Sequence, residues 1–235
     1  MSGTLYGLGV GPGDPDLITL KALRILQSAS VLAYPAPEVG ESLARKIVSP
    51  HLPGTQIEIA IRMPLSAPNF PDDEVYGEAA ISLKEHLAKG RDIAVLCEGD
   101  PFFYGSFMYL FSRMVADYKV EVVPGVSSPM ACAAVLGAPL AAQNDVLTIL
   151  PGPLDTEALR SRLEVTDAAA IIKLGRHFLR IRALLEDMDL IAQSRYVERA
   201  TMDAERIAPL DEVDPTSSPY FSMILVHRRG QAWLR

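Results

Sequence analysis

Cysteine is scarce: Cys97 and Cys132 are the two in 235 residues. They form neither a CxxC pair nor any other metal-ligand spacing, so both read as buried thiols. The four histidines, His51, His86, His177 and His227, contain no i,i+4 pair. That removes the common helical design for a protein-built metal site, and none is expected. No apolar run approaches the about 20 residues that span a bilayer. The opening Met1-Ser2-Gly3-Thr4 also lacks the charged and apolar regions of a secretory leader. A cytoplasmic location with no membrane partner is therefore expected. Positive charge is short as well: 22 Lys and Arg against 29 Asp and Glu give a net charge of −7. Nucleic-acid surfaces need clustered cations, so no nucleic-acid partner is expected. A small anionic ligand stays compatible, because a few local arginines are enough for it.

What is present is a globular composition, with 49% hydrophobic and 22% charged residues. Leu5–Val10 reads as a strand ending in the loop Gly9-Val10-Gly11-Pro12-Gly13-Asp14. Thr19 follows as a helix N-cap, with Leu20, Leu23 and Leu26 along one face. Val31–Tyr34 resumes as a strand and stops at Pro35, completing a β-loop-α-β unit that implies a parallel sheet. Ile61–Asp73, with Pro64, Pro68 and Pro71, reads as a long loop. Asp73–Lys89 is an amphipathic helix with Val75, Ala79, Leu83 and Leu87 on one stripe and Gly90 as its C-cap. Ile93–Leu96 and Val120–Val123 are apolar runs of the buried parallel type. Beyond residue 140 come apolar runs at Val146–Leu150, Ala168–Leu174, Arg195–Glu198 and Tyr220–Val226, with a helix near Phe178–Met188. The fold class is α/β, read as two α/β domains, 1–140 and 141–235.

Three loops stand out because each follows a predicted strand and carries glycine and proline. They are Gly9–Pro15, Glu98-Gly99-Asp100-Pro101 and Pro124-Gly125-Val126-Ser127-Ser128. Ligands of parallel α/β sheets bind outside the carboxyl ends of the strands, where glycine admits close backbone approach. A nicotinamide-binding GxGxxG reading fails on spacing: Pro12 or Asp14 occupies the third glycine position. No Gly-Lys-Ser/Thr occurs, so a P-loop is excluded.

Taken together, these loops resemble the tetrapyrrole (corrin/porphyrin) methylase family. The residues that carry the resemblance are Gly9-Val10-Gly11-Pro12-Gly13-Asp14-Pro15-Asp16-Leu17-Ile18-Thr19, the Gly99-Asp100-Pro101 step, the Pro124–Ser128 segment, Glu198-Arg199-Ala200-Thr201 and Tyr220–Val226. They span nearly the whole chain. Cys97–Tyr109, the Leu32–Pro35 strand end and the proline-rich segment look similar to the branch that methylates carbon-20 of precorrin-2. The resemblance implies S-adenosylmethionine as cofactor, held in a cleft between two α/β domains. It also implies a tetrapyrrole substrate and a homodimer.

Carried over by motif, the resemblance puts Pro12, Gly99, Asp100, Phe103, Ser127 and Ser128 at the cofactor from the first domain. Leu174, Ala200 and Ser222 join them from the second, Leu174 standing where relatives often have methionine. Asp100 has a competing role as a turn-forming residue before proline, and Ser127 and Ser128 as helix caps. Tyr104, Glu98 and His177 are conceivable proton acceptors, none singled out by pattern. Arg176, Arg180, Arg182 and Arg199 are candidates to clamp substrate carboxylates, with solvated surface arginines as the bland alternative. The aromatic run Phe102–Phe111 faces either a macrocycle or a helix core. The other readings are methylation of the cobalt-containing counterpart or of another tetrapyrrole carbon, a protein that holds a tetrapyrrole without turnover, and a diphthine-synthase-like enzyme.

Overall fold

The structure, a computed structural model, describes residues 2–63, 73–214 and 216–229. Most of the proline-rich segment therefore lies outside the described residues. The chain forms two compact units, Met1–Ser127 and Ser128–Arg235.

The first unit is built on five parallel strands: β1 (Leu5–Gly9), β2 (Val31–Pro37), β3 (Ile57–Met63), β4 (Ile93–Cys97) and β5 (Val120–Val123). Their order across the sheet is β3-β2-β4-β1-β5. Two layers of helix cover it. Helices α1 (Leu20–Ser28) and α2 (Leu43–Val48) bury Ala22, Leu26, Ala44, Ile47 and Val48 against Leu8, Leu32, Ala94 and Leu96. On the opposite face, α3 (Asp73–Ala88) and α4 (Phe107–Met114) bury Leu83, Leu87, Phe107 and Met114 against Leu5, Val31, Ile93 and Val95. Alternate residues of each strand thus serve different cores, as the two-residue period demands.

Local chemistry explains most boundaries. The Thr19 hydroxyl accepts from the Ala22 amide at 3.2 Å and starts α1. Leu20, expected on the buried face, is 77% exposed because it opens the helix; Ala22 and Leu26 form the buried stripe instead. The strand expected to stop at Pro35 runs on to Pro37. The Val31 amide points toward β4, bonding the Asp92 carbonyl, so the nitrogens of Pro35 and Pro37 share that side. The β4 pairing ends at Ala33, so neither proline removes a ladder bond.

The second unit begins with α5 (Ser128–Val135), a helix the sequence reading places in the first domain. Its Cys132 packs with Ala170, Val197 and Leu225 of the second sheet. That sheet is mixed, in the order β6-β7-β10-β8-β9. Its strands are β6 (Leu147–Pro151), β7 (Ala168–Ile172), β8 (Ser194–Glu198), β9 (Arg206–Ala208) and β10 (Ser222–His227). Strands β6 and β7 are parallel, and β10 runs antiparallel to both β7 and β8. Helices α6 (Thr156–Val165) and α7 (Phe178–Asp187) cover the other face through Leu159, Leu163, Phe178 and Ile181. Among the described residues no helix is long and apolar enough to cross a membrane. No group of three or more metal-ligating side chains occurs among them either.

Candidate functional site at the strand ends

The connections leaving β1 and β2 lead to helices on one face of the first sheet, and those leaving β3 and β4 to helices on the other. Strand β4 lies between β2 and β1, so the face changes on both sides of it. Such a switch opens a crevice at the carboxyl ends of the strands. The loop Glu98–Ser106 starts there, flanked by the loops that follow β1 and β5.

These three loops are joined backbone to backbone. Gly99 donates to the Gly11 carbonyl at 2.8 Å, and Val10 to the Cys97 carbonyl at 3.0 Å. Gly99 and Gly11 hold φ of +66° and +85°, a region that favours glycine. A Cβ on Gly9 would lie 2.4 Å from the Gly125 nitrogen, and one on Gly125 would lie 2.1 Å from the Gly99 oxygen. Glycine is required at Gly9 and Gly125 so that the loops can meet. The sequence reading gave these glycines to ligand approach; their first effect is to pack three loops together.

Asp100 fixes the same junction. Its Oδ1 accepts from the Phe102 amide at 2.9 Å, the expected turn, and its Oδ2 accepts from Gly125 at 3.0 Å. The carboxylate thus holds the β5 loop against the β4 loop. Pro12 is buried, Phe103 and Ser127 are half-buried, and Ser128 is exposed as the first residue of α5. Phe103 stacks edge-on against Tyr104, which is 44% exposed and held at φ +54°. In the aromatic run, Phe107 is buried in the helix core, as one of the two readings expects, while Phe102 and Met108 face solvent.

Glu98 accepts from the Ala44 amide of α2 at 3.2 Å. Burial pushes its carboxyl above the usual range, against the lowering effect of the backbone donors. An acid whose pKa rises on folding adds stability below its unfolded pKa, about 4.3, and loses it as pH climbs through the folded value. Glu98→Gln keeps the acceptor and removes the charge. The variant is expected to be more stable than the wild type at neutral pH in urea unfolding. The gap should close in acid, below the ordinary carboxylate range. An equal gap at all pH values would show that ionisation of Glu98 is not what separates them.

In the second unit the carboxyl ends of β6, β7 and β8 and the start of β10 share one edge. Leu174, Arg176, His177, Arg199, Ala200 and Ser222 all lie there. Arg199 donates to the Phe221 carbonyl at 2.8 Å and Gly175 to that of Pro219 at 3.3 Å, tying the loops together. Leu174 is fully buried in the core with Phe178 and Ile181, and Ala200 packs with Val197 and Met223. The Ser222 hydroxyl donates to the Pro219 carbonyl at 2.6 Å and neighbours Ser218. Burial, then the nearby Arg176 and Arg180, hold the His177 imidazole below its usual pKa, so its neutral form is favoured.

The four candidate arginines divide into two kinds. Arg180 donates to the Gly152 and Leu154 carbonyls at 2.7 Å each and to the Thr156 hydroxyl at 3.2 Å. Arg182 reaches the Leu210 and Val213 carbonyls at 3.4 Å each. Both serve their own unit. Arg176 is exposed, and the Arg199 side chain is 42% exposed, its ion-pair contact among the described residues being a distant one to Glu198 at 3.9 Å. Sequence reasoning missed Lys173, at φ +59°, whose ammonium burial holds below its usual pKa. Arg199 and Thr201 also have positive φ, at 49° and 68°. Strained non-glycine backbone of this kind gathers at functional edges, and nothing in the residue types announces it.

A family profile described as tetrapyrrole (corrin/porphyrin) methylases matches residues 4–214. The chain belongs to that family. Methylases similar to it include a precorrin-2 C(20)-methyltransferase of a Sinorhizobium species, 39% identical over 95% of both chains. A cobalt-precorrin-2 C(20)-methyltransferase of Salmonella typhimurium is 34% identical over 98% of this chain and 99% of the relative. The cobalamin biosynthesis protein CobIJ of Mycobacterium tuberculosis is 40% identical over 95% of this chain, which spans 46% of the length of that relative. The methylase fold is shared with the uroporphyrin-III C-methyl transferase of Thermus thermophilus, solved with S-adenyl homocysteine. There the TM-score is 0.69 at 23% identity, covering 95% of this chain and 97% of the other.

Proposed function

We propose that this chain methylates precorrin-2 at carbon-20 with S-adenosylmethionine, giving precorrin-3A in cobalamin biosynthesis. The observation that carries the reading is the 39% identity to the Sinorhizobium enzyme across 95% of both chains. The glycine-lined junction at the β4 switch point supports it, because a ligand there can be met by backbone alone. S-adenosylmethionine, when bound, supplies a methyl on a sulfonium that the enamine-like meso carbon can displace in line.

The chain's own work is then mainly alignment. The backbone at Pro12 and Gly99 and the side chains of Phe103, Ser127 and Ser128 offer the cofactor a surface. Asp100 keeps those loops in register through Gly125. Alignment of reacting atoms in a dry site supplies several kcal/mol of rate enhancement. From the second unit, Leu174 supports the loop from within the core, while Ala200 and Ser222 set the edge. A proton must leave carbon-20. Among Tyr104, Glu98 and His177, we take His177 as the acceptor, because its neutral imidazole, the form that accepts a proton, is favoured. Arg176 and Arg199 are the cations left to meet substrate carboxylates, since Arg180 and Arg182 are bonded to carbonyls.

Incubation with methyl-labelled S-adenosylmethionine and metal-free precorrin-2 should place one label on carbon-20, located by NMR. The Salmonella relative favours the cobalt-loaded substrate as a second reading, so both forms belong in the assay. Label at another carbon, or tetrapyrrole binding with no turnover, would overturn the proposal. The second outcome would make the chain a holding protein.

A further inference from the structure

A second feature of the first unit lies beside the switch point and is separate from the three glycine loops. A cavity of about 360 Å³ opens between α2 and strands β2 and β3. Its floor comes from the cross-strand pairs Tyr34–Ala60 and Ala36–Arg62, which the parallel register places on one face. Its wall is the polar stripe of α2, Ser42, Arg45, Lys46 and Ser49, spaced i, i+3, i+4 and i+7. Ala44, Ile47 and Val48 turn the other way into the core.

The charges in this cavity are arranged unequally. Glu58 takes both Arg45 Nε at 3.1 Å and Nη2 at 3.0 Å, and Tyr34 donates to the same carboxylate at 2.8 Å. Arg45 is therefore neutralised in place. Arg62 is anchored through Nη1 alone, donating to the Pro37 carbonyl at 3.0 Å and that of Glu38 at 3.4 Å. Its Nε and Nη2 make no further bond among the described residues. Lys46 is exposed and has no ion-pair partner among them. Glu41 is the one acid in the lining. In a chain of net charge −7, two unneutralised cations at one cavity are a local reversal of sign.

We infer that this cavity is a carboxylate subsite for the tetrapyrrole, taking one acidic side arm of the macrocycle between Lys46 and Arg62. The volume is at the lower end for ligand pockets, roughly 300–1,000 Å³, so it admits an arm and excludes the ring system. A guanidinium held by one nitrogen still offers a fork to a carboxylate, and the mobile ammonium adds charge. The location suits a ring lying over the β4 loop. Strand β2 is next to β4 in the sheet, and the Glu98 bond to Ala44 ties α2 to the residue before Gly99. The subsite rests on the proposed activity for the identity of its ligand, and on its own residues for its existence.

The test is Lys46→Gln combined with Arg62→Gln, both on exposed side chains, with circular dichroism as the check on fold. Uroporphyrin serves as a stable, carboxylate-rich probe, followed by fluorescence quenching. The double variant should bind it about tenfold more weakly, the size expected when a charge-assisted bond is lost. Raising salt should weaken the wild type more than the variant. With precorrin-2, KM should rise about tenfold while kcat stays within twofold, and S-adenosylhomocysteine affinity should not change. Wild-type uroporphyrin affinity in the double variant would overturn the inference. So would a calorimetric citrate site lost in the variant while porphyrin binding is unchanged, which would assign the cavity to a free carboxylate. A wild type that binds uroporphyrin through these cations but methylates nothing refutes the activity and keeps the subsite. Turnover with an unaltered KM in the variant does the reverse.

Discussion

Gly125→Ala will lower S-adenosylhomocysteine affinity about a hundredfold. The added methyl would sit 2.1 Å from the Gly99 oxygen and 2.7 Å from the Gly9 Cα. Both are backbone atoms, so no rotamer change can relieve the contact. The loop after β5 must move by about 1 Å, a displacement that can cost 10²-fold where groups are positioned for a ligand. Overpacking should also lower stability by about 1–3 kcal/mol. Calorimetry with the cofactor product and urea unfolding separate the two effects. Gly77→Ala is the matched control. It lies within α3 with nothing inside 4 Å of the new methyl, so it should leave binding alone and stabilise by about 0.5–1 kcal/mol. Undiminished affinity in Gly125→Ala would mean that the glycine junction shapes the fold and no ligand site.

Arg180→Ala is expected to destabilise the protein by about 2–3 kcal/mol, while Arg176→Ala stays within about 0.5 kcal/mol. Arg180 closes the β6–α6 loop through two carbonyls at 2.7 Å and the Thr156 hydroxyl. Its removal leaves those acceptors to water. Arg176, on the preceding turn, is exposed. Tetrapyrrole affinity should move the other way, falling about tenfold for Arg176→Ala. In Arg180→Ala it should hold wherever the variant is still folded. Equal midpoints in urea for the two variants would remove the structural role assigned to Arg180.

Much of this was legible in the residues, and the limits have physical causes. Four of the five strands of the first sheet followed from apolar runs ending in glycine or proline, because buried strands and tight loops have composition signatures. Strand β3 was missed, because its residues Ile61–Met63 read as part of the proline-rich loop. The α3 stripe was legible in the same way: Ala79, Leu83 and Leu87 are buried, with Val75 packed beside them. Helix α2 escaped because six residues are too few to display a period, and β9 because three residues are fewer still. The continuation of β2 through two prolines depends on which neighbour each nitrogen faces, and a single strand carries no record of that. At the candidate site, the motifs picked out three loops that the structure brings together. They could not divide the arginines, since Arg176 and Arg180 differ only in whether a carbonyl lies within reach. Nor could they foresee Lys173 at positive φ, which is imposed by the surrounding loop and not by lysine.

The strand order has a consequence for how the protein is made. Leu5 of β1 pairs with Ile93 and with Val120, so the first strand of this unit has no neighbour until much of the unit exists. At about 5–20 residues per second, that interval is roughly 5–25 s on the ribosome. The second sheet has the complementary problem. Its inner strand β10 is the last of the unit, and β7 and β8 share no partner until it arrives. Both sheets therefore close late, through contacts distant in sequence, which is the topology that folds slowly and leaves apolar edges open meanwhile. A ribosome stalled before Ser222 would hold an unfinished second sheet with exposed β7 and β8 edges, a natural client for a chaperone.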